Sequence, residues 1–214
     1  DFDRLALLPA ENWNHNSHYH NFLLKYVPVS CKNALEIGCG TGAFARFLAE
    51  RAQQVLALDL SSQMIKIARE RSEQYQNIDF RVANVLEWEF PTEQFDCIVS
   101  IATLHHLPLE EMLTKMKSAL KVDGTLIVLD VCQAEGLFDV LTSIFTFPAN
   151  IVLQWIKNGQ LRTPREVREA WNEHGQRDSY LTVSQVRQIC AAVLPGAQVR
   201  KHLFWRYSII WKKT

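Results

Sequence analysis

The sequence predicts an α/β fold, a doubly wound, mostly parallel seven-stranded sheet with an antiparallel C-terminal strand and a helical lid insert. Three observations carry this expectation. Short β-rich apolar runs alternate with helical ones between residues 33 and 131, as in consecutive βαβ units. The first of these runs ends in a glycine-rich turn that opens a helix. Two further short runs close the chain, near enough in sequence to pair antiparallel.

Taken in order, Asn33 to Ile37 reads as the first strand. Gly42 to Ala52 then has helical spacing, with Phe44, Phe47 and Leu48 expected inward. Gln54 to Asp59 is the second strand, and Ser61 is placed to cap a helix through about Gln74, with Met64, Ile65, Ile67 and Ala68 on its buried face. Ile78 to Ala83 is the third strand, Phe95 to Ser100 the fourth and Gly124 to Val131 the fifth. Between the last two, Leu109 to Lys121 is an amphipathic helix entered through Pro108. The alternation lapses after Cys132. Thr163-Pro-Arg-Glu166 and Thr182-Val-Ser-Gln185 are capping boxes, the second opening a helix to about Leu194. Gln198 to His202 and Trp205 to Trp211 are the terminal strand pair. No repeat or linker divides residues 1–214, so a single domain is expected, with residues 133–180 as its helical insert.

Composition limits the partners. The 214 residues carry 23 basic and 23 acidic side chains, a net charge of zero, which argues against a nucleic-acid partner. The five cysteines (Cys31, Cys39, Cys97, Cys132, Cys190) are odd in number and lack CxxC spacing, which fits a reducing, cytoplasmic setting. No basic segment followed by an apolar one opens the chain, so no secretory leader is expected, and Asp1 in place of Met leaves room for residues ahead of it. Leu137 to Ile156 is apolar, but Asp139, Pro148, Asn150 and Gln154 interrupt it, so no stable membrane association is expected. A monomer or homodimer is expected.

Leu35-Glu-Ile-Gly-Cys-Gly-Thr-Gly-Ala43 follows a strand and opens a helix, so backbone N–H groups and the helix dipole face a ligand with no side chain between. Gly38, Gly40 and Ala43 also satisfy the loose dinucleotide pattern, with Asp59 near the place of its ribose-binding acid, so a nicotinamide-dependent oxidoreductase stays open on the glycines alone. Glu36 shifts the balance. A carboxylate two residues before Gly38 repels a pyrophosphate and suits a cationic amino-acid portion. The run from Phe95-Asp96 to Leu-His105-His106-Leu-Pro108 adds a loop at the sheet's C-terminal edge, where open α/β sheets take ligands.

With these residues in view the sequence resembles the class I S-adenosylmethionine-dependent methyltransferases, Rossmann-like enzymes of the small-molecule type. Glu-Ile-Gly-Cys-Gly-Thr-Gly is similar to the family's first motif, Leu-Asp59-Leu-Ser to its acidic second strand, and Phe95-Asp96 with the following loop to its fourth-strand motif. Ala119 to Leu126 resembles the corner from helix to fifth strand, and the resemblance is strong from Ala34 to Val131. It implies S-adenosylmethionine as cofactor, with S-adenosylhomocysteine as product. Glu36, Gly38, Cys39 and Gly40 would lie at the methionine end, Asp59 would accept from the ribose hydroxyls, and Leu60 and Met64 would flank the adenine. Asn84, with Val85 behind it, stands where the family often has Asp, and its amide oxygen would accept from the adenine amino group. Ser100 and Ile101 would lie under the sulfonium.

Methyl transfer to oxygen, nitrogen or carbon asks for positioning and, where the acceptor carries a proton, a base. His105 and His106 are the candidate bases on the loop facing the methyl. Trp13, His18 and Tyr19 of the aromatic N-terminal segment are candidates to close over the cofactor and acceptor. His15, His18 and His20 lack the accompanying carboxylate or thiolate of a metal site, so no metal is expected. The insert carries Phe138, Phe145, Phe147, Trp155 and Trp171, which suggest a lid shaping a small, partly aromatic acceptor pocket. Arg200, Lys201, Arg206, Lys212 and Lys213 make the last strands basic; they could hold an acidic substrate or product, but a solvated edge that resists strand pairing is the expected reading.

Overall fold

The computed structural model describes residues 14–135 and 180–214, together with Asp3, Ala6 and Ile156. Trp13, Phe138, Phe145, Phe147, Trp155, Trp171, the Thr163 capping box and most of the expected insert lie outside the described residues.

The described strands are β1 (Cys31–Ile37), β2 (Ala52–Asp59), β3 (Ile78–Val82), β4 (Phe95–Ile101), β5 (Leu120–Val131), β6 (Gln198–His202) and β7 (Arg206–Lys212). They form one seven-stranded sheet in the order β3-β2-β1-β4-β5-β7-β6. Strands β1 to β5 pair in parallel, whereas β7 pairs antiparallel with both β5 and β6. The chain runs outward from β1 to β3 and then returns to place β4 against the other side of β1. That reversal leaves a crevice at the carboxyl ends of β1 and β4, the place where such sheets take ligands.

Alternation along the strands feeds two apolar layers. On one face, Leu23 and Leu24 pack with Phe44 and Leu48 of helix α2 (Ala43–Ala49) and with Ile65 and Ala68 of α3 (Ser62–Glu70). The short helix α1 (His20–Leu23) belongs to this layer. On the other face, Met112, Leu113 and Met116 of α4 (Leu109–Ala119) meet Val186 and Cys190 of α5 (Val183–Val193). In β5 this division is strict, with Ile127 and Leu129 facing one layer and Leu126 and Val128 the other.

Two expected caps form as residue type dictates. The Ser61 Oγ accepts from the Met64 N–H at 3.1 Å, and Thr182 with Gln185 makes a reciprocal capping box. Three expectations are corrected. Phe47 is 37% exposed, because Phe44 and Leu48, four residues apart, occupy the inward stripe and leave Phe47 against the ring of His20. Helix α3 ends at Glu70, short of Gln74, where the chain breaks into turns closed by Ser72 N–H to Arg69 O and Tyr75 N–H to Ser72 O. Strand β5 begins at Leu120, ahead of Gly124, because Leu120 pairs with Phe95 across a register shift. All five cysteines are buried thiols. Among the described residues no helix is long and apolar enough to cross a membrane.

Candidate functional site

The loop after β1 takes its shape from three left-handed glycines, Gly38, Gly40 and Gly42, at φ 71°, 51° and 73°. The Gly38 and Cys39 N–H groups both donate to Leu58 O of β2, at 2.8 and 2.9 Å, and Gly42 N–H donates back to Cys39 O. The three positions differ in surroundings. A Cβ at Gly38 would stand 1.9 Å from the Thr103 hydroxyl on the loop after β4, and one at Gly42 would meet the Phe80 ring at 2.8 Å. A Cβ at Gly40 would meet nothing within 4 Å, so the backbone there faces open space into which a ligand fits. Gly38→Ala is therefore expected to lower the melting temperature more than Gly40→Ala. Both carry left-handed strain of about 1–3 kcal/mol, but only the first displaces Thr103; equal melting temperatures would overturn this.

Two carboxylates stand behind the loop. Asp59, at the end of β2, accepts from Gly40 N–H through Oδ2 (2.8 Å) and from Ser61 N–H through Oδ1 (2.9 Å). Burial pushes its pKa up, against the pull of those N–H groups. Glu36 is only 2% exposed, and its Oε2 has no hydrogen-bond partner. Burial holds its carboxyl well above the ordinary range, the Asp59 charge adds to this, and Arg46 opposes both. The Arg46 guanidinium itself donates to Thr41 O and Ser72 Oγ, each at 3.1 Å. An orphaned buried carboxyl, a second carboxylate and an open glycine backbone fit the cationic amino-acid end and the ribose of S-adenosylmethionine. The Asp59→Ala substitution is expected to weaken S-adenosylhomocysteine binding by about 1–3 kcal/mol, while Asp59→Asn, which keeps one acceptor, loses less. Calorimetry showing the two variants equal to wild type would sink this.

Next to Asp59, Leu60 is 59% exposed and Met64 half-buried, leaving apolar surface beside the ribose position. Asn84 forms a local turn in which its Oδ1 accepts from Leu86 N–H (3.1 Å) and its Nδ2 donates to Glu87 (2.9 Å). Its amide oxygen thus has one lone pair already engaged, and Val85 is buried beneath it. The fully buried Ser100 donates to Ile37 O at 3.1 Å and ties β4 to β1 at the crevice, next to the half-buried Ile101. Asp96 has a different place. It accepts from Asn33 N–H at the start of β4 and pairs with Lys121 at 2.9 Å, a clip at the opposite end of the strand from the crevice.

The loop after β4 holds the histidines. Ala102 takes a left-handed φ of 51°, donating its N–H to Leu129 O of β5, and Leu104–His106 then forms a 3-10 turn. Asp130, fully buried on β5, engages His105 twice: Oδ2 accepts the His105 backbone N–H at 2.9 Å, and Oδ1 lies 2.5 Å from the ring Nδ1. Val131 N–H donates to the same Oδ1 at 2.7 Å. The His105 ring lies 3.8 Å from that of His106 and 5.4 Å from that of Tyr180. A cleft of about 590 Å³ opens here, lined by Leu104, His105, His106, Val131, Leu181 and Tyr207 among others. Sequence reasoning missed Asp130. The available signal was one acid in the apolar run Leu126-Ile-Val-Leu-Asp-Val131.

The N-terminal aromatic segment turns toward the β6–β7 hairpin. The buried Tyr19 donates its hydroxyl to Leu203 O at 2.9 Å, and burial raises its pKa to about 12. His15 stacks on Phe204 at 4.8 Å, His18 meets Tyr19 and Phe204 edge-on, and His20 packs against Phe44. His15 and His18 thus share Phe204 while His20 faces Phe44, and no group of metal-ligating side chains gathers among the described residues.

Residues 34–124 match a protein family described as a methyltransferase domain. An uncharacterized methyltransferase of Mycobacterium tuberculosis is 28% identical over 94% of this chain and 96% of its own length. A ubiquinone biosynthesis O-methyltransferase of Coxiella burnetii is 26% identical over 66% of this chain and 68% of its own. In fold the chain is similar to the N-methyltransferase NodS of Bradyrhizobium japonicum, solved with S-adenosylhomocysteine, at TM-score 0.67 and 18% identity over 99% of this chain and 96% of that one. The chain thus carries a methyltransferase domain over residues 34–124, is similar along most of its length to a methyltransferase, and has the fold found in S-adenosylmethionine-dependent methyltransferases. Nothing in these similarities supports a nicotinamide-dependent oxidoreductase.

Proposed function

We propose that the enzyme methylates an oxygen, nitrogen or acidic carbon of a small molecule, and that His105 takes the proton which that atom loses. The observation that carries this reading is the Asp130–His105 pair. An imidazole whose Nδ1–H donates to a carboxylate has its lone pair on Nε2, and the charge it gains on protonation is balanced by the same carboxylate. Bound S-adenosylmethionine supplies an electrophilic methyl on a sulfonium. The chain's own residues do the rest by holding and excluding. Glu36 and the Gly38–Gly40 backbone hold the amino-acid end, Asp59 the ribose, Leu60 and Met64 the adenine faces, with Asn84 and Val85 at its edge. Ser100 and Ile101 form the floor beneath the reacting centre, and His106, Tyr180 and Tyr207 border the acceptor's side.

The O-methyltransferase relative and the cleft at His105 support an acceptor with an ionisable X–H bond and of small-molecule size. The buried thiols fit a cytoplasmic location. Calorimetric titration with S-adenosylhomocysteine and, separately, NADH tests the cofactor part: saturable binding of the first is expected, and binding of NADH alone would overturn the reading. Screening acceptors with isotopically labelled S-adenosylmethionine tests the second part. Transfer to an X–H group with kcat lost in His105→Ala is expected; turnover undiminished in that variant removes the base role.

A further inference from the structure

The last two strands were expected to be a solvated basic edge, and most of their cations fit that description. Lys212 pairs with Asp123 at 2.8 Å, Lys213 reaches Glu93 and Leu120 O, and Arg200 is exposed beside Gln198. Arg206 does not. It opens β7 opposite Val131 of β5, and because β7 runs antiparallel to β5, this places it at the sheet edge that carries the glycine loop and His105. Its Nε donates to Asn16 Oδ1 at 2.9 Å and its Nη1 to Phe204 O at 3.1 Å, both neutral oxygens. No carboxylate among the described residues lies within ion-pair distance of it. Its Nη2 makes no hydrogen bond among the described residues yet is not sealed from solvent. The charged group it senses is Asp130, whose oxygens already accept from His105 and Val131; its other electrostatic neighbours, Cys132, Tyr19 and Tyr180, are neutral in their ordinary forms. Burial pulls the Arg206 pKa down, and the charge of Asp130 opposes that only in part.

A desolvated guanidinium without a carboxylate partner among the described residues is costly, and its planar fork matches a two-oxygen anion better than any neutral ligand. Its place beside the Asp130–His105 pair, with Nη2 still open, is that of a receiver for the part of the acceptor that does not react. We infer that the methyl acceptor carries an oxyanion, a carboxylate or phosphoryl group, and that Arg206 receives it. This rests on the methyltransferase reading and deepens it by naming a substrate class. The N–H groups already given to Asn16 and Phe204 hold the fork in place before the anion arrives.

The test is calorimetric titration of the S-adenosylhomocysteine-loaded protein with benzoate and, separately, with inorganic phosphate. Saturable binding of at least one is expected, and the tighter of the two assigns the group. Arg206→Gln is expected to weaken that binding about tenfold or more, and Arg206→Lys, which keeps the charge but not the fork, by a smaller factor. Both should leave S-adenosylhomocysteine affinity unchanged. If Arg206→Gln does not fold, Arg206→Lys decides, and wild-type anion affinity in it overturns the inference. So does equal anion affinity in Arg206→Gln and wild type, or no binding of either anion to a protein that binds S-adenosylhomocysteine. Failure of S-adenosylhomocysteine itself to bind would instead remove the methyltransferase reading.

Discussion

The Asp130→Asn variant is expected to lose about 100-fold or more in kcat while binding S-adenosylhomocysteine as the wild type does. The buried carboxylate accepts three hydrogen bonds, from the backbone N–H groups of His105 and Val131 and from the His105 ring. An amide has one oxygen and one NH2 group. If the NH2 faces the ring, Nδ1 becomes the acceptor, the proton moves to Nε2, and the base is lost. If the NH2 faces the His105 backbone instead, two donors oppose each other and the 3-10 turn holding the ring shifts. Either arrangement removes an imidazole poised to accept a proton at Nε2. His105→Ala should lose a similar factor, and the double variant should lose little more, because the two residues act as a unit. His106→Ala should lose less, since its ring is not held by the carboxylate. An imidazole nitrogen spectrum gives a readout independent of turnover: the wild type should show Nδ1 protonated, and loss of that proton in Asp130→Asn identifies the first arrangement. Wild-type kcat in Asp130→Asn, or an equal loss of cofactor affinity, would assign Asp130 a structural role instead.

This pair also shows why half of the site was hidden in the sequence. His105 was legible because it lies in one continuous run with β4 and its loop, and local order is what periodicity and motif spacing report. Asp130 lies on the next strand and acquires meaning only when β4 and β5 pair in parallel register, with Ile101 beside Leu129. The glycine loop was legible for the same local reason, but that Gly40 alone of its three glycines faces open space was not. The double tie from Asp59 to Gly40 and Ser61 was not, since it spans two elements. Tyr19, expected over the cofactor, gives its hydroxyl to Leu203, a contact across nearly the whole chain. Arg206 reads in sequence as one more basic residue on an edge strand. Its hydrogen bonds to Asn16 and Phe204 join distant or looped parts of the chain, which no local pattern encodes. The strands and helices themselves were read closely, because each has an uninterrupted apolar period bounded by turn chemistry. The misjudged ends, at Glu70 and Leu120, are places where hydrogen bonding decides the boundary instead of hydrophobicity.

Glu36→Gln is expected to move two measurements in opposite directions, raising the stability of the cofactor-free protein and lowering its affinity for S-adenosylhomocysteine. The wild-type carboxyl is buried with Oε2 unpartnered, beside Asp59 and with Arg46 as the cation that opposes them. Its folded pKa is raised well above the ordinary value of 4.5, so the folded protein binds this proton more tightly than the unfolded chain. The stability this provides is present at low pH and is lost as pH rises from the unfolded value through the folded one. Asp59, also raised by burial, adds a contribution of the same sign. Near neutral pH the wild type must therefore take up a proton or bury a charge on folding, a cost that a neutral amide of the same shape does not carry. Denaturant melts of the cofactor-free protein across the mildly acidic to neutral range should fall with pH in the wild type and stay flatter in E36Q. Binding a cation reverses the preference, since an ammonium group at Oε2 favours the ionised carboxylate and expels its proton. Affinity in the wild type should thus rise with pH across the same window, with proton release detectable as a buffer-dependent binding enthalpy, and E36Q should show weaker affinity with less of that dependence. Parallel pH profiles for the two proteins, in stability and in binding alike, would mean that Glu36 neither carries the strain nor meets the cation.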